Sequence, residues 1–175
     1  NLTSENLFKN NQDLVLEIGF GMGESLIQMA KENPNLNYLG LEVHRPGVGH
    51  ILLGIEKENL NNLKVLCHDA VEILEKYIPS DSLGKIQIFF PDPWHKKKHH
   101  KRRLIQEEFI KKLVLKLKHS GQIHLATDWE NYADQMLQVL SENPDLLNIY
   151  GEKQFAPNRE TTGRPVTKFQ KRGEN

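Results

Sequence analysis

Leu14-Val15-Leu16-Glu17-Ile18-Gly19-Phe20-Gly21-Met22-Gly23 runs from an apolar stretch into glycine at every second position. The first five residues make a buried strand. The glycines let the backbone turn tightly and come close to a ligand. Glu24 to Glu32 follows helical spacing and stops at Asn33-Pro34, because the residue before a proline leaves the helical region. Strand, glycine turn and helix in that order open an α/β fold with a mostly parallel sheet.

The same alternation continues outward. Tyr38 to Glu42 reads as a second strand, followed by a helix with Val48, Ile51, Leu52 and Ile55 on one face. Leu63 to Cys67 is a third strand, and its helix carries Val71, Leu74 and Ile78. Lys85 to Phe90 is a fourth, ended by Pro91-Asp92-Pro93. The spacing predicts a helix over Leu104 to Lys118, stopped at Ser120-Gly121, then a fifth strand from Ile123 to Thr127. Trp129, Tyr132, Ala133, Met136 and Leu140 mark one more amphipathic helix. Beyond Tyr150 the pattern fades, and residues 151–175 read as a functional loop or a poorly ordered tail.

Composition narrows the classes. The chain has 175 residues, one cysteine and 38% hydrophobic residues, which suits one domain of ordinary size. One cysteine excludes an internal disulfide framework. No apolar run approaches a membrane span, and no signal peptide opens the chain, so a soluble cytoplasmic protein is expected. Formal net charge is zero, yet residues 96–103 (Lys-Lys-Lys-His-His-Lys-Arg-Arg) hold six basic groups and no acid. A cationic patch on an acidic body attracts a polyanion locally while the whole stays neutral.

The glycine turn is not a dinucleotide fingerprint, since its third glycine comes one residue early. Glu17 just before it would repel a pyrophosphate and favour a cationic ligand. S-adenosylmethionine offers an ammonium and a sulfonium and no phosphate; a tight turn without a ligand is the bland alternative. Glu42 suits a ribose diol by accepting two hydroxyl hydrogens, or is a solvated strand end. Asp69 either contacts an adenine or caps a helix, given the pattern Asp69-Ala70-Val71-Glu72. Asp92 and Trp94 sit in a proline-stiffened turn where a second substrate would meet the cofactor; a purine could stack there while Asp92 accepts its N–H donors. The basic run beside it suits phosphate backbone. His95, His99 and His100 lack the spacing of a metal set, so no metal is expected. Cys67 reads as strand core.

Taken together, Leu16 to Gly23, Gly40-Leu41-Glu42-Val43-His44, Pro46-Gly47-Val48-Gly49, Phe90 to Lys97, Ala126-Thr127-Asp128-Trp129 and Arg164 to Phe169 closely resemble bacterial tRNA (guanine-N7)-methyltransferases. The resemblance implies a class I S-adenosylmethionine-dependent methyltransferase, a Rossmann-like fold with a mostly parallel sheet and helices on both faces, as a single domain over 1–175. It implies donor contacts from Glu17, Glu42, Asp69 and Asp92; the glycine turn adds Gly19, Gly21 and Gly23 to the expected donor site, and Asp92, placed to orient the guanine, is the expected catalytic residue. It implies substrate contacts from Lys96, Asp128, Thr167, Lys168, Phe169 and Gln170, and RNA contacts from Lys98, His99, His100, Lys101, Arg102 and Arg103. The partner would be tRNA, with no membrane, and the enzyme a monomer or homodimer. Two departures accompany it: the family usually has Glu at position 170, and it runs further at both ends, with an N-terminal extension and a closing strand expected to be missing here. A non-catalytic RNA-binding module, an NAD-dependent oxidoreductase and a methyltransferase with another acceptor are the rival readings.

Overall fold

In the computed structural model, residues 1–157 and 166–172 are described, Val166 and Thr167 by backbone alone. Five parallel strands form the body of one sheet: β1 (Leu14–Ile18), β2 (Asn37–Glu42), β3 (Leu63–Cys67), β4 (Leu83–Phe89) and β5 (Leu117–Ala126). Two more follow, β6 (Leu146–Asn148) and β7 (Val166–Lys171), and the order across the sheet is β3-β2-β1-β4-β5-β7-β6. β7 runs antiparallel to both of its neighbours, β5 and β6. A short α1 (Ser4–Phe8) precedes α2 (Glu24–Glu32), α3 (Arg45–Lys57), α4 (Ala70–Tyr77), α5 (Glu107–Lys116) and α6 (Glu130–Glu142).

Two cores flank the sheet. Leu14, Leu16 and Ile18 of β1 point into the larger, with Ile73 and Leu74 of α4, Ile110 and Leu113 of α5 and Tyr132 and Met136 of α6. Val15 points the other way, with Leu26 and Ala30 of α2 and Ile51 of α3. That alternation is the period-two geometry of a strand covered on both faces. Leu52 departs from expectation: it stands on the outer side of α3, 51% exposed.

Three boundaries also differ from the sequence reading. The helix expected to Lys118 ends at Lys116, and β5 begins at Leu117. Ser120-Gly121 therefore lies inside a strand, Ser120 taking φ +61°, and the register slips between Leu83 and Lys85. Ser120 thus marks a kink in β5, where a helix stop was expected. The basic run, expected as a loop, winds into a short 3₁₀ segment, Lys97–Arg102. Within the tail, where a loop or a poorly ordered segment was expected, Val166–Lys171 forms a strand that pairs with β5 on one side and β6 on the other.

Candidate active site

The strand order reverses between β1 and β4, and a ligand crevice belongs outside the carboxyl ends of strands at such a point. Ile18 pairs with Leu41 and with Ile88, Glu42 with Cys67, and Phe89 with Ala126. The residues just after β1, β2, β3, β4 and β5 therefore share one edge. Thr167 joins it, because β7 runs backwards and Val166 lies beside Ala126.

The three glycines divide by role. Gly19 (φ +75°) and Gly21 (φ +63°) have open space where a side chain would stand. Gly23 (φ +86°) is closed off: a Cβ there would lie 2.5 Å from Ile51. The first two leave room for a ligand, and the third seats α3. Gly47 completes the fit, since a Cβ on it would lie 2.0 Å from the Gly21 carbonyl oxygen.

Glu42 locks the turn. Gly21 N donates to Oε2 at 2.8 Å, and Val43 N and His44 N donate to Oε1 at 2.9 and 3.1 Å. A carboxylate has about four acceptor positions. Three are occupied by backbone N–H donors, and one remains on Oε2. Asp69 caps α4, with Glu72 N donating to its Oδ2 at 3.3 Å. Asp128 is exposed and caps nothing: Trp129 is the N-cap residue of α6, and Trp129 N donates to Thr127 Oγ1 at 3.2 Å.

Glu17 does not stand at the open edge. It is 3% exposed and accepts from Gln87 Nε2 at 2.7 Å, and the same amide nitrogen lies 3.1 Å from Met29 Sδ of α2. Burial pushes its carboxyl up to about 7, against smaller lowering by the Gln87 hydrogen bond and by Lys85. Desolvation disfavours the charged form, so burial works against the negative charge expected beneath the turn.

Asp92 is exposed and preset. Its Oδ1 accepts from Trp94 N at 2.9 Å, leaving the other oxygen unengaged by that turn. Phe90 (φ +54°) and Trp94 (φ +44°) flank it in the left-handed region, which non-glycine residues hold only when their surroundings impose it. Arg102 lies over the Trp94 ring at 5.2 Å and His99 beside it at 5.9 Å. His95 meets Trp129 edge-on at 4.3 Å. That pairing joins the β4 and β5 ends, and no spacing in the sequence announces it.

Two expected contacts are corrected. Phe169 is 1% exposed and packs in the larger core; as a strand residue between Lys168 and Gln170 it faces the opposite side, and its ring offers no exposed surface to a substrate. Arg103 is 2% exposed and is not free to meet phosphate. Lys96, Lys98, Lys101 and Arg102 are exposed, His99, His100, Lys168 and Gln170 half-buried. The side chain of Thr167 lies outside the described residues. Cys67 is exposed, not core. Among the described residues no helix is long and apolar enough to cross a membrane, and no group of three His, Cys, Asp or Glu could hold a metal.

Solved structures share this architecture at low identity. An rRNA methylase from Streptococcus thermophilus matches with TM-score 0.65 and 13% identity over 96% of this chain and 91% of its own. A SAM-dependent O-methyltransferase from Thermotoga maritima matches with TM-score 0.64 and 16% identity over 98% and 64%. The fold is that of the class I S-adenosylmethionine-dependent methyltransferases.

A family model described as "Putative methyltransferase" matches residues 11–175, and the tRNA (guanine-N(7)-)-methyltransferases of Mannheimia succiniciproducens and Francisella philomiragia are 53% and 55% identical over 95% and 97% of the chain. The chain belongs to the tRNA (guanine-N7)-methyltransferase family. It spans 66% and 72% of those two relatives' lengths.

Proposed function

We propose that this chain transfers a methyl group from S-adenosylmethionine to N7 of a guanine in the tRNA variable loop, acting in the cytoplasm as a single methyltransferase domain. The observation that carries this reading is the shared strand-end edge. It sets an open glycine turn, a carboxylate with one acceptor position left, and a rigid acidic turn beside a cationic segment. The donor fits that cradle, because Gly19 and Gly21 leave space along the backbone and Glu42 stands at the neighbouring strand end. The donor, when bound, supplies an electrophilic methyl carried on a sulfonium. Gly19 and Gly21 admit it, Glu42 takes one ribose hydroxyl, and Asp69 serves the adenine from the start of α4. Glu17 supports the turn from the buried side.

Guanine N7 is an acceptor with an available lone pair, so no base need remove a proton. Asp92 instead accepts from guanine N1–H and N2–H through the oxygen that Trp94 leaves. Its charge then lies near the positive charge that develops on the purine. Lys96, Asp128, Thr167, Lys168 and Gln170 hold the nucleotide. Lys98, Lys101, Arg102, His99 and His100 hold the backbone, which fixes register without reading sequence. Alignment of this kind supplies at most ~7–11 kcal/mol of barrier lowering.

The test is incubation with labelled donor and unmodified tRNA, followed by cleavage mapping of 7-methylguanine. A single modified guanine in the variable loop is expected. Asp92→Ala should lose nearly all transfer while donor affinity by titration calorimetry stays within several-fold. Label on DNA or protein instead, or normal turnover in Asp92→Ala, would overturn the reading.

A further inference from the structure

Arg103 closes the basic run yet is 2% exposed. Its Nε donates to the Pro93 carbonyl at 2.5 Å, its Nη1 donates to Asn131 Oδ1 at 2.9 Å and to Gln135 Oε1 at 2.8 Å, and its Nη2 lies 3.0 Å from His100 Nε2. The guanidinium carbon lies 4.6 Å from the centre of the Tyr132 ring. No ion pair to Arg103 is formed among the described residues. A buried cation without an acid is held by neutral acceptors and an aromatic face, which a planar fork serves together and a compact ammonium serves only in part.

The first of those acceptors is the informative one. Pro93 is the residue after Asp92 and before Trp94, so its carbonyl belongs to the turn that presents the Asp92 carboxylate. Asn131 and Gln135 lie on one face of α6, just past the β5 strand end. Gln135 also donates to the Ile105 carbonyl at 2.9 Å, and Ile105 N donates to the Tyr132 hydroxyl at 3.0 Å. The turn keeps two non-glycine residues at positive φ, and such backbone persists only where the surroundings over-determine it.

We propose that Arg103 is a positioning residue for methyl transfer: it clamps the Pro93 carbonyl, and through it Asp92, to α6, and it does not contact RNA. The inference rests on the tRNA methyl-transfer reading above. The exposed cations that grip the backbone and the carboxylate that orients the base then form one rigid piece, joined beneath the surface by a single side chain. Docking the phosphates would place Asp92 without any further adjustment of the turn.

The test compares the parent chain with Arg103→Met, Arg103→Lys and the double variant Asn131→Ala, Gln135→Ala, well below their melting temperatures. Single-turnover transfer at saturating tRNA and donor, tRNA Kd by filter binding and donor Kd by calorimetry are measured. Arg103→Met should transfer about a hundredfold more slowly, the cost of about an ångström of misplacement, with both Kd values within about threefold. Arg103→Lys should recover about tenfold of that loss, since an ammonium reaches one of these partners but not all four. The double variant should fall about tenfold, and it carries the test if Arg103→Met does not fold. A tenfold weaker tRNA Kd with an unchanged saturated rate would make Arg103 a phosphate contact and overturn the proposal, as would no change in any of these.

A readout independent of turnover separates this inference from the function it rests on. The chain has two tryptophans, so 5-fluorotryptophan labelling gives two ¹⁹F resonances, assigned with Trp129→Phe. A moved or broadened Trp94 resonance in ligand-free Arg103→Met supports the clamp, and an unmoved one overturns it. Absence of methyl transfer by the parent chain would defeat the function alone.

Discussion

Glu17 is an acid kept from water by β1, β4 and α2, and it accepts a hydrogen bond from the Gln87 amide. Its folded carboxyl sits near 7 against an ordinary 4.5, chiefly through desolvation. The folded state therefore holds a proton that the unfolded chain releases. Stability from this group is full below about pH 4.5, and it is lost as pH rises to about 7. Glu17→Gln keeps the shape and an acceptor toward Gln87 without that ionisation. The variant should match the parent at pH 4 and exceed it at pH 8 by roughly 3 kcal/mol at most. Urea unfolding at the two pH values reads the difference directly; a gap that does not widen with pH would mean that Glu17 is ionised in the fold. Arg103 shows why single residues mislead from sequence. Its neighbours in the chain are cations, so charge patterning sends it to solvent. The groups that bury it, Asn131, Tyr132 and Gln135, lie about thirty positions away and carry no local sign of it.

At the scale of elements, α3 is seated by glycine. Gly47→Ala would set a methyl 2.0 Å from the Gly21 carbonyl, which backbone cannot yield cheaply. We expect α3 to tilt off the turn, with about 1–3 kcal/mol of stability lost to overpacking and at least about tenfold weaker donor affinity, since ~1.4 kcal/mol is a factor of ten. Calorimetry alongside thermal unfolding tests both, and intact affinity would show that the helix is not part of the donor site. The 3₁₀ segment Lys97–Arg102 makes a different prediction. Replacing Lys98 and Lys101 by alanine should flatten the slope of log K against log salt by roughly 1–2, because each phosphate contact contributes ~0.7–0.9. An unchanged slope would place the RNA elsewhere. Most elements were legible because strands and helices buried on one or two faces must carry period-two or period-3.6 apolar patterns. The α5–β5 junction was not: Leu113 and Leu117 keep helical spacing across a boundary that only the sheet imposes. The last strands were hidden too. β6 has three residues, and in β7 the buried ring of Phe169 stands among Thr167, Lys168, Gln170 and Lys171, too few apolar positions for a period to show.

For the molecule as a whole, that ring matters most. Phe169 is the 1%-exposed side chain by which β7 joins the larger core. Phe169→Ala should cost about 3–5 kcal/mol, a large part of the ~5–15 kcal/mol that usually separates folded from unfolded domains. Hydrogen exchange should quicken first in β6 and β7 and last in β1 and β4; a loss below about 1 kcal/mol would show that the strand is held by its ladder alone. The placement of β7 between β5 and β6 also sets a timetable. A ribosome finishes β6 before it starts β7, yet β6 pairs with nothing but β7 among the described residues. Seventeen residues separate Asn148 from Val166, about one to three seconds at ordinary elongation rates. Through that interval the nascent chain shows β5 as a bare edge, the kind of template on which unrelated strands collect. The polar and charged side chains of β7 come too late to guard it, so the young protein depends on speed or on a chaperone at that one border.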